Sequence, residues 1–182
     1  MTLDLLDEAV RRLRRAGASY ADARHVSDER EQVAMRDGRV ERLFRGSSEG
    51  VGVRAIVDGA WGFAARAGSG DFAAALDEAC REALRTARAA ASLRPAKSRG
   101  VELAEEEPQR GHFATPVAED PFAVPLDEKL ALLDGVTRAL RERAGARARS
   151  ASAHVAAHRQ HKALATSDGA AVTQSLTHTG CG

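Results

Sequence analysis

The sequence predicts an α+β fold, a twisted antiparallel β-sheet with helices packed on it, and three observations support this class. Two Asp-Gly pairs, at 37–38 and 58–59, each lie between runs of β-forming residues. Asp-Gly suits the two-residue type I′ hairpin, whose two turn residues both have positive φ. Flanking segments carry apolar residues at spacings of three and four, which predicts amphipathic helices. All five prolines fall between residues 94 and 125, where they exclude a central strand or a helix interior.

The first predicted element is a helix from Leu3 to Ala16, ended by Gly17 as a C-cap. Its apolar stripe consists of Leu3, Leu6, Val10 and Leu13. A strand near Tyr20–Ser27 follows, and the two hairpins come after it. In the second hairpin one face carries Val51, Val53, Ala55 and Val57, and the other carries Ile56, Trp61 and Phe63. Apolar residues on both faces predict a hairpin that is covered on each side.

A second helix is predicted from Asp71, a suitable N-cap, to about Leu93, and it would cover one face of that hairpin. Its inner stripe consists of Phe72, Leu76, Cys80, Ala83 and Ala87. Because Cys80 falls on this stripe, we interpret it as a small core residue rather than a nucleophile. The proline-rich segment that follows is predicted to be an extended connector with an edge strand at Val101–Ala104.

A third helix is predicted after Pro125, and its inward face consists of Leu126, Leu130, Leu133, either Val136 or Thr137, and Leu140. Strands are then predicted at Ser150–His158 and Lys162–Thr166. Asp168-Gly169 forms the predicted turn, and a return strand reaches Thr179.

This second half repeats the order of the first: helix, Arg-Ala-Gly-Ala, strand, Asp-Gly hairpin and Gly-x-Gly. We therefore predict an internally duplicated helix–strand–hairpin unit within one domain, 1–182. The first unit spans 1–93, the proline-rich connector 94–125, and the second unit 126–182. Because the first copy continues after Gly-x-Gly with a further strand, we expect the second unit to be truncated.

Composition excludes several classes of function. The chain has 27 basic and 26 acidic residues, and this nearly balanced net charge gives it no overall electrostatic attraction to nucleic acid or to an anionic membrane. One tryptophan, one tyrosine and five phenylalanines are too few for a base-stacking surface. The chain has no run of 18 apolar residues, so no membrane-spanning helix is predicted. The acidic, amphipathic N-terminus is unlike a signal peptide, so a cytoplasmic location is expected.

Histidines are the nearest approach to a metal site. On a strand, His154 and His158 would point the same way and His161 the opposite way, which favours a polar strand face over a zinc site. His178 and Cys181 could add ligands only if their strand paired favourably. Cys80 and Cys181 form no Cys-x-x-Cys pair, and we expect reduced thiols rather than a disulfide.

Residues 50–64, GVGVRAIVDGAWGFA, resemble the N-terminal signature of the TldD/PmbA family, also known as modulators of DNA gyrase. The segments ADARHVSDER, from Ala21, and DPFAVPLDEKLALL, from Asp120, resemble the family in the same order. The resemblance covers nearly all of the chain. GVGVRA followed by WGFA is more similar to the TldD side of the family than to the PmbA side.

The resemblance implies a cytoplasmic, zinc-dependent metallopeptidase that acts on unfolded or peptide substrates. It also implies that a TldD-type chain pairs with a PmbA-type chain, and that only the former carries metal. The family's metal ligands lie in a C-terminal domain, on an HExxxH helix with a further cysteine. Neither HExxxH nor HExxH occurs in this chain, so no catalytic or metal-binding residue can be transferred to it. We expect zinc in that further domain and no peptidase activity from these residues alone.

The expected function is therefore that of a non-catalytic N-terminal domain, which helps to shape the substrate cleft and contributes to a dimer contact. Its expected partners are its own C-terminal domain, a TldD/PmbA-type homo- or heterodimer and an extended peptide substrate. The glycine-bearing strand Gly50, Val51, Gly52 and Val53 is the candidate site, because bare backbone offers an extended peptide a place to pair. The alternative is a PmbA-like partner fragment or a stand-alone peptide-binding or assembly module.

Overall fold

The computed structural model describes residues 2–68, 70–95 and 99–182, which form helices and a six-stranded sheet. In chain order the elements are α1 (Thr2–Arg15), β1 (Tyr20–Arg36), β2 (Arg39–Val57), β3 (Ala60–Ala67), α2 (Phe72–Ser92), β4 (Arg110–Ala114), α3 (Leu126–Ala144), a 3-10 turn (Gly145–Arg147), β5 (Ser152–Thr166) and β6 (Ala171–Cys181). The strand order is β3-β2-β1-β5-β6-β4. The predicted α+β class is confirmed.

The sheet is mixed rather than purely antiparallel. β3 pairs antiparallel with β2, as a hairpin requires. β4 instead runs parallel to β6, with Arg110 opposite Ala171 and Ala114 opposite Ser175. The helix–strand–hairpin order does occur twice, as α1-β1-β2 and α3-β5-β6. Duplication of the unit stays a prediction.

Two compact units divide the described residues, and four of the strands run through both. Unit 1 holds the described residues of 1–27, 48–114 and 161–175; unit 2 holds 28–47, 115–160 and 176–182. No helix in the described ranges combines the length and the apolar character that crossing a membrane requires.

Both predicted Asp-Gly hairpins are confirmed. The φ angles are 51° at Asp37, 74° at Gly38, 47° at Asp58 and 73° at Gly59, all in the left-handed region that a type I′ turn demands. The predicted turn at Asp168-Gly169 is not of this type. Among its residues only Gly169 has positive φ, at 98°, and the loop between β5 and β6 is longer than two residues.

Three predicted strands are longer than expected. The strand predicted to end at Ser27 continues to Arg36, and the two predicted segments at Ser150–His158 and Lys162–Thr166 form the single strand β5. The return strand ends at Cys181 rather than Thr179.

Unit 1 has a core built from the inner faces of α1 and α2 and from neighbouring strands. Both helices lie where the sequence predicts them, and the Asp71 carboxylate accepts hydrogen bonds from the backbone of Ala73 and Ala74, at 2.9 and 3.2 Å. Cys80 is buried in this core, and burial raises the pKa of its thiol to about 11. The buried set is rich in alanine: Ala9, Ala21, Ala23, Ala55, Ala79, Ala83, Ala87 and Ala165. Such small side chains let helices and sheet approach closely.

The second hairpin is covered more fully on one face than on the other, which corrects the prediction of two covered faces. Val51, Val53, Ala55 and Val57 are buried as expected. On the opposite face Ile56 is buried, but Phe63 keeps 61% of its surface exposed. That exposed ring defines the surface on which the candidate site lies.

Unit 2 has a smaller core, formed by Val33, Met35, Leu133 and Ala153, with Leu130 and Val155 packed against it. The inward face of α3 agrees with the prediction in part: Leu130, Leu133 and Thr137, the last being one of two predicted alternatives, face inward, and Leu126 and Leu140 do not. Leu126, Val136 and Leu140 are exposed, whereas Lys129, Leu133 and Thr137 are buried. Lys129 is buried because its ammonium group pairs with the Glu31 carboxylate and donates to the Pro121 carbonyl oxygen at 2.8 Å.

The predicted edge strand at Val101–Ala104 is wrong. Among the described residues of this segment, the Val101 N–H donates to the Gly59 carbonyl oxygen at 2.9 Å without forming a ladder. The strand of the proline-rich segment is β4, which lies after Pro108 and before Pro116. Its central residues can therefore all donate to a ladder.

Candidate functional site

The candidate strand Gly50–Val53 lies inside the sheet. Gly50 is opposite Ala67 on β3, and Val53 is opposite Ala64. β1 is the neighbour of β2 on its other side. Both hydrogen-bonding edges of this segment are therefore occupied, and the accessible part is one face. These residues can therefore be approached across that face and not by extension of the ladder.

Glycine makes the floor of a groove on this face. Val51 and Val53 point into the core and are 2% and 0% exposed, so Gly50 and Gly52 face the other way. The groove has a volume of about 380 Å³ and is lined by Asp22, Arg24, Val26, Gly50, Val51, Gly52, Arg54, Phe63, Ala65 and Arg66. A Cβ atom added at Gly52 would lie at ordinary contact distance, 3.5 Å from the Phe63 ring, so a side chain at this position would occupy part of the groove.

Phe63 provides the apolar wall of the groove. Its ring is on β3 opposite Arg54, beside the backbone of Gly52. An exposed phenylalanine over bare backbone is a surface on which an apolar side chain of a peptide can pack. The alternation of apolar residues predicted a covered face for Phe63, so its exposure could not be inferred from the sequence pattern.

Fixed charges form one side of the groove. The Arg54 Nε donates to the Asp22 carboxylate at 2.8 Å, and its guanidinium lies over the Trp61 ring, 5.4 Å from the ring centroid. Asp22 is only 2% exposed, so the carboxylate depends on this partner. Arg66 pairs with Glu78 at 3.1 Å. These contacts hold the guanidinium groups in place, where they can donate to the carbonyl oxygens of a peptide.

Tyr20 belongs to the same cluster of charges. Burial, together with the negative charge of Asp22 and a hydrogen bond to it, raises the pKa of the phenol to about 12. The Tyr20 ring meets the Trp61 ring edge-on, with centroids 5.9 Å apart. Neither Asp22 nor Tyr20 was singled out as a site residue from the sequence, because their partner Arg54 lies more than 30 residues away along the chain.

The three histidines examined as a metal site have separate partners. His158 Nε2 lies 2.5 Å from Asp28 Oδ1, and His161 Nδ1 lies 2.9 Å from Ser175 Oγ. The backbone of His154 pairs with Gly182. Within residues 2–68, 70–95 and 99–182, no three His, Cys, Asp or Glu side chains are grouped so that they could hold a metal ion. The residues described here do not fit a catalytic zinc.

Comparison with known families identifies two matching segments. Residues 21–90 match the family model described as PmbA/TldA metallopeptidase domain 1, and residues 119–182 match the PmbA/TldA metallopeptidase central domain. The chain belongs to the TldD/PmbA metallopeptidase family. The resemblance stated from residues 50–64 and from their flanking segments is thus confirmed. No curated protein matches the chain.

Solved structures of this family share the fold. TldE from Thermococcus kodakarensis is 14% identical with a TM-score of 0.68, over 97% of this chain and 38% of the TldE chain. A protein from Thermotoga maritima, titled a modulator of a DNA gyrase, is 12% identical with a TM-score of 0.70, over 98% of this chain and 38% of its own. A similarly titled protein from Bacteroides thetaiotaomicron is 15% identical with a TM-score of 0.62, over 98% of this chain and 39% of its own. The TldD/PmbA chain described here therefore spans less than two fifths of the length of these proteins.

Proposed function

We propose that this chain is the non-catalytic N-terminal part of a TldD-like zinc metallopeptidase and that its glycine-floored groove binds an extended peptide substrate. In this proposal the chain shapes the substrate cleft, contributes to a TldD/PmbA-type dimer contact and supplies no zinc ligand. The family of the chain supports the reaction class. The proposed role in substrate binding is supported by one observation, the groove over Gly50 and Gly52 beside the exposed Phe63.

The groove chemistry favours a peptide in extended conformation. Its floor is bare backbone, one wall is an aromatic ring, and another carries guanidinium groups held by Asp22 and Glu78. Such a surface contacts main-chain atoms and one apolar side chain, so it accepts many sequences. A peptidase for unfolded substrates needs this kind of contact, because binding away from the reacting bond holds the chain in position.

A groove-filling substitution tests the proposal. Gly52→Val adds a β-branched side chain that favours a strand and fills the floor beside Phe63. We expect the affinity for a fluorescein-labelled peptide of alternating serine and valine to fall by about tenfold or more, as measured by fluorescence anisotropy. The matched control is Gly111→Val, because an added Cβ there meets no atom within 4 Å.

Unchanged peptide affinity in Gly52→Val, with a melting temperature close to that of the parent chain, would overturn the proposed binding role. The rival function is that of a PmbA-like partner fragment or a stand-alone module. The gene sequence downstream of Gly182 distinguishes it from the proposed function. An in-frame HExxxH motif supports the enzyme, a related domain without it supports the partner, and a stop codon supports the module.

A further inference from the structure

The first half of β2 is an open sheet edge in unit 2. β3 pairs with β2 only from Gly50 to Val57, and the Glu49 carbonyl oxygen accepts the last hydrogen bond from this side, from the Gly68 N–H at 2.7 Å. Within the described part of the chain no strand lies beside residues 39–47 on their outer side. We call this segment, Arg39–Ser47, the open edge. A row of unpaired N–H and C=O groups is a template for another strand.

The open edge carries exposed apolar side chains. Val40, Leu43 and Phe44 are 51%, 55% and 51% exposed. Phe44 lies along its own strand over Gly46, where an added Cβ would be 3.0 Å from the ring. Proteins usually protect a long edge strand with charge or with a cover. Eight of the nine positions are exposed; four of these carry charges, and the three large apolar residues among them indicate a surface that another polypeptide covers.

A groove of about 1050 Å³ adjoins the open edge in the same unit. Arg42 and Phe44 of the open edge form one side, and Arg30, His158 and His178 from the neighbouring strands line the rest. A strand added beside the open edge would therefore direct every second side chain toward this groove. Edge and groove together provide main-chain pairing and side-chain recognition in one place.

The groove has a positive charge that neither Glu31, which lines it, nor the nearby Asp28 neutralises. Glu31 is already paired with Lys129 and lies 3.7 Å from Arg45. Asp28 is held by His158 at 2.5 Å and by the Gln160 amide at 2.9 Å, and it lies 4.0 Å from Arg30. Burial alone would raise the pKa of Asp28, but these hydrogen bonds outweigh it and lower the pKa.

Arg42 has a neutral partner. Its guanidinium donates to the Gln32 amide oxygen at 3.2 Å, and among the described residues no carboxylate lies within ion-pair distance of it. Its charge is thus available at the junction of edge and groove, two residues from the exposed Phe44. A carboxylate placed there would form a bidentate pair with the guanidinium.

We propose that the open edge and its groove bind an acidic polypeptide segment in extended conformation. The segment adds a strand beside Arg39–Ser47, places a carboxylate against Arg42 and packs an apolar residue on Phe44. A polypeptide fits better than a nucleic acid because the unpaired edge donates and accepts main-chain hydrogen bonds in the alternation that only another strand reproduces. This inference concerns unit 2 and does not rest on the glycine-floored groove of unit 1.

The experiment uses a fluorescein-labelled peptide of alternating glutamate and valine and its lysine–valine analogue. We expect the acidic peptide to bind more tightly than the basic one, and more weakly as salt rises. The double variant Arg42→Glu/Phe44→Ser should lose about tenfold or more in affinity. The control variant Arg85→Glu, at an exposed arginine of α2, should bind as the parent does. Hydrogen exchange of the backbone amides in residues 42–47 should slow when the acidic peptide is bound.

Three outcomes would overturn the proposal. The first is equal binding of the two peptides, and the second is binding without slower exchange at residues 42–47, which would mean charge attraction alone. The third is a self-association that Arg42→Glu/Phe44→Ser abolishes while the acidic peptide fails to bind, which would make a second copy the occupant. Gly52→Val should leave binding of the acidic peptide intact, and the double variant should leave binding of the serine–valine peptide intact, so each proposal can fail by itself.

Discussion

At the scale of single residues, the ion pair of Asp22 and Arg54 organises the wall of the glycine-floored groove. The Asp22 side chain is almost fully buried, and its charge is compensated by a guanidinium that is itself half exposed. Removing one partner of such a pair leaves a buried charge, which is far more destabilising than replacing both. The same carboxylate acts on the phenol of Tyr20 and disfavours its ionised form.

Tyr20 therefore gives a pH-dependent prediction. The pKa of its phenol is raised from 10.0 to about 12 in the folded chain, so between these values the unfolded chain has lost the proton that the folded chain keeps. The unfolded state then binds fewer protons, and the free energy of unfolding falls as pH rises from about 10 to about 12.

The chain has one tyrosine, so tyrosinate absorbance reports this group alone. We expect the native titration to have its midpoint near pH 12 and the urea-unfolded chain to titrate near its ordinary value of about 10. Tyr20→Phe is the control and should show neither transition. A native midpoint equal to the unfolded one would contradict the burial of the phenol and its contact with Asp22.

At the scale of secondary-structure elements, α2 approaches β3 very closely in unit 1. Gly62 lies on β3 opposite Ala55, under the backbone of α2. A Cβ added there would lie 2.0 Å from the Ala83 carbonyl oxygen and 2.4 Å from the Ala87 nitrogen. Backbone atoms cannot move aside as a flexible side chain can, so the helix itself would have to shift.

Gly62→Ala should consequently destabilise the fold strongly. We expect the free energy of unfolding to fall by about 3 kcal/mol, at the upper end of overpacking effects. Urea unfolding followed by tryptophan fluorescence would measure it. Gly111→Ala is the matched control on β4, with open space around the added Cβ, and should change stability by no more than about 0.5 kcal/mol. Equal stability of the two variants would refute the close approach.

Local signals made some elements predictable. Asp-Gly turns depend only on the conformations of two residues, so both hairpins could be located from sequence. The N-cap at Asp71 and the stripe of α2 are local in the same way. The burial of Lys129 on the inward face of α3 was not predictable, because it depends on Glu31, 98 residues away. The site was predictable only as a glycine-bearing strand. That β3 occupies its edge, and that Phe63 stands exposed beside it, follow from packing.

At the scale of the whole molecule, two family segments are joined by residues that match neither model, 91–118. The proline-rich composition that marks the connector in the sequence falls largely on this interval. The chain provides a sheet, helices on it and two grooves of different chemistry. In the described ranges it provides no group of three or more His, Cys, Asp or Glu side chains that could hold a metal ion.

The most direct test of the central claim, that the glycine-floored groove binds extended peptide, is an NMR titration of the ¹⁵N-labelled chain with the serine–valine peptide. The account predicts that the largest amide shift changes fall on Gly50, Val51, Gly52 and Val53 and that the peptide stays uncleaved throughout. Saturating peptide with no shift changes at these four residues, or peptide cleaved by this chain alone, would contradict it.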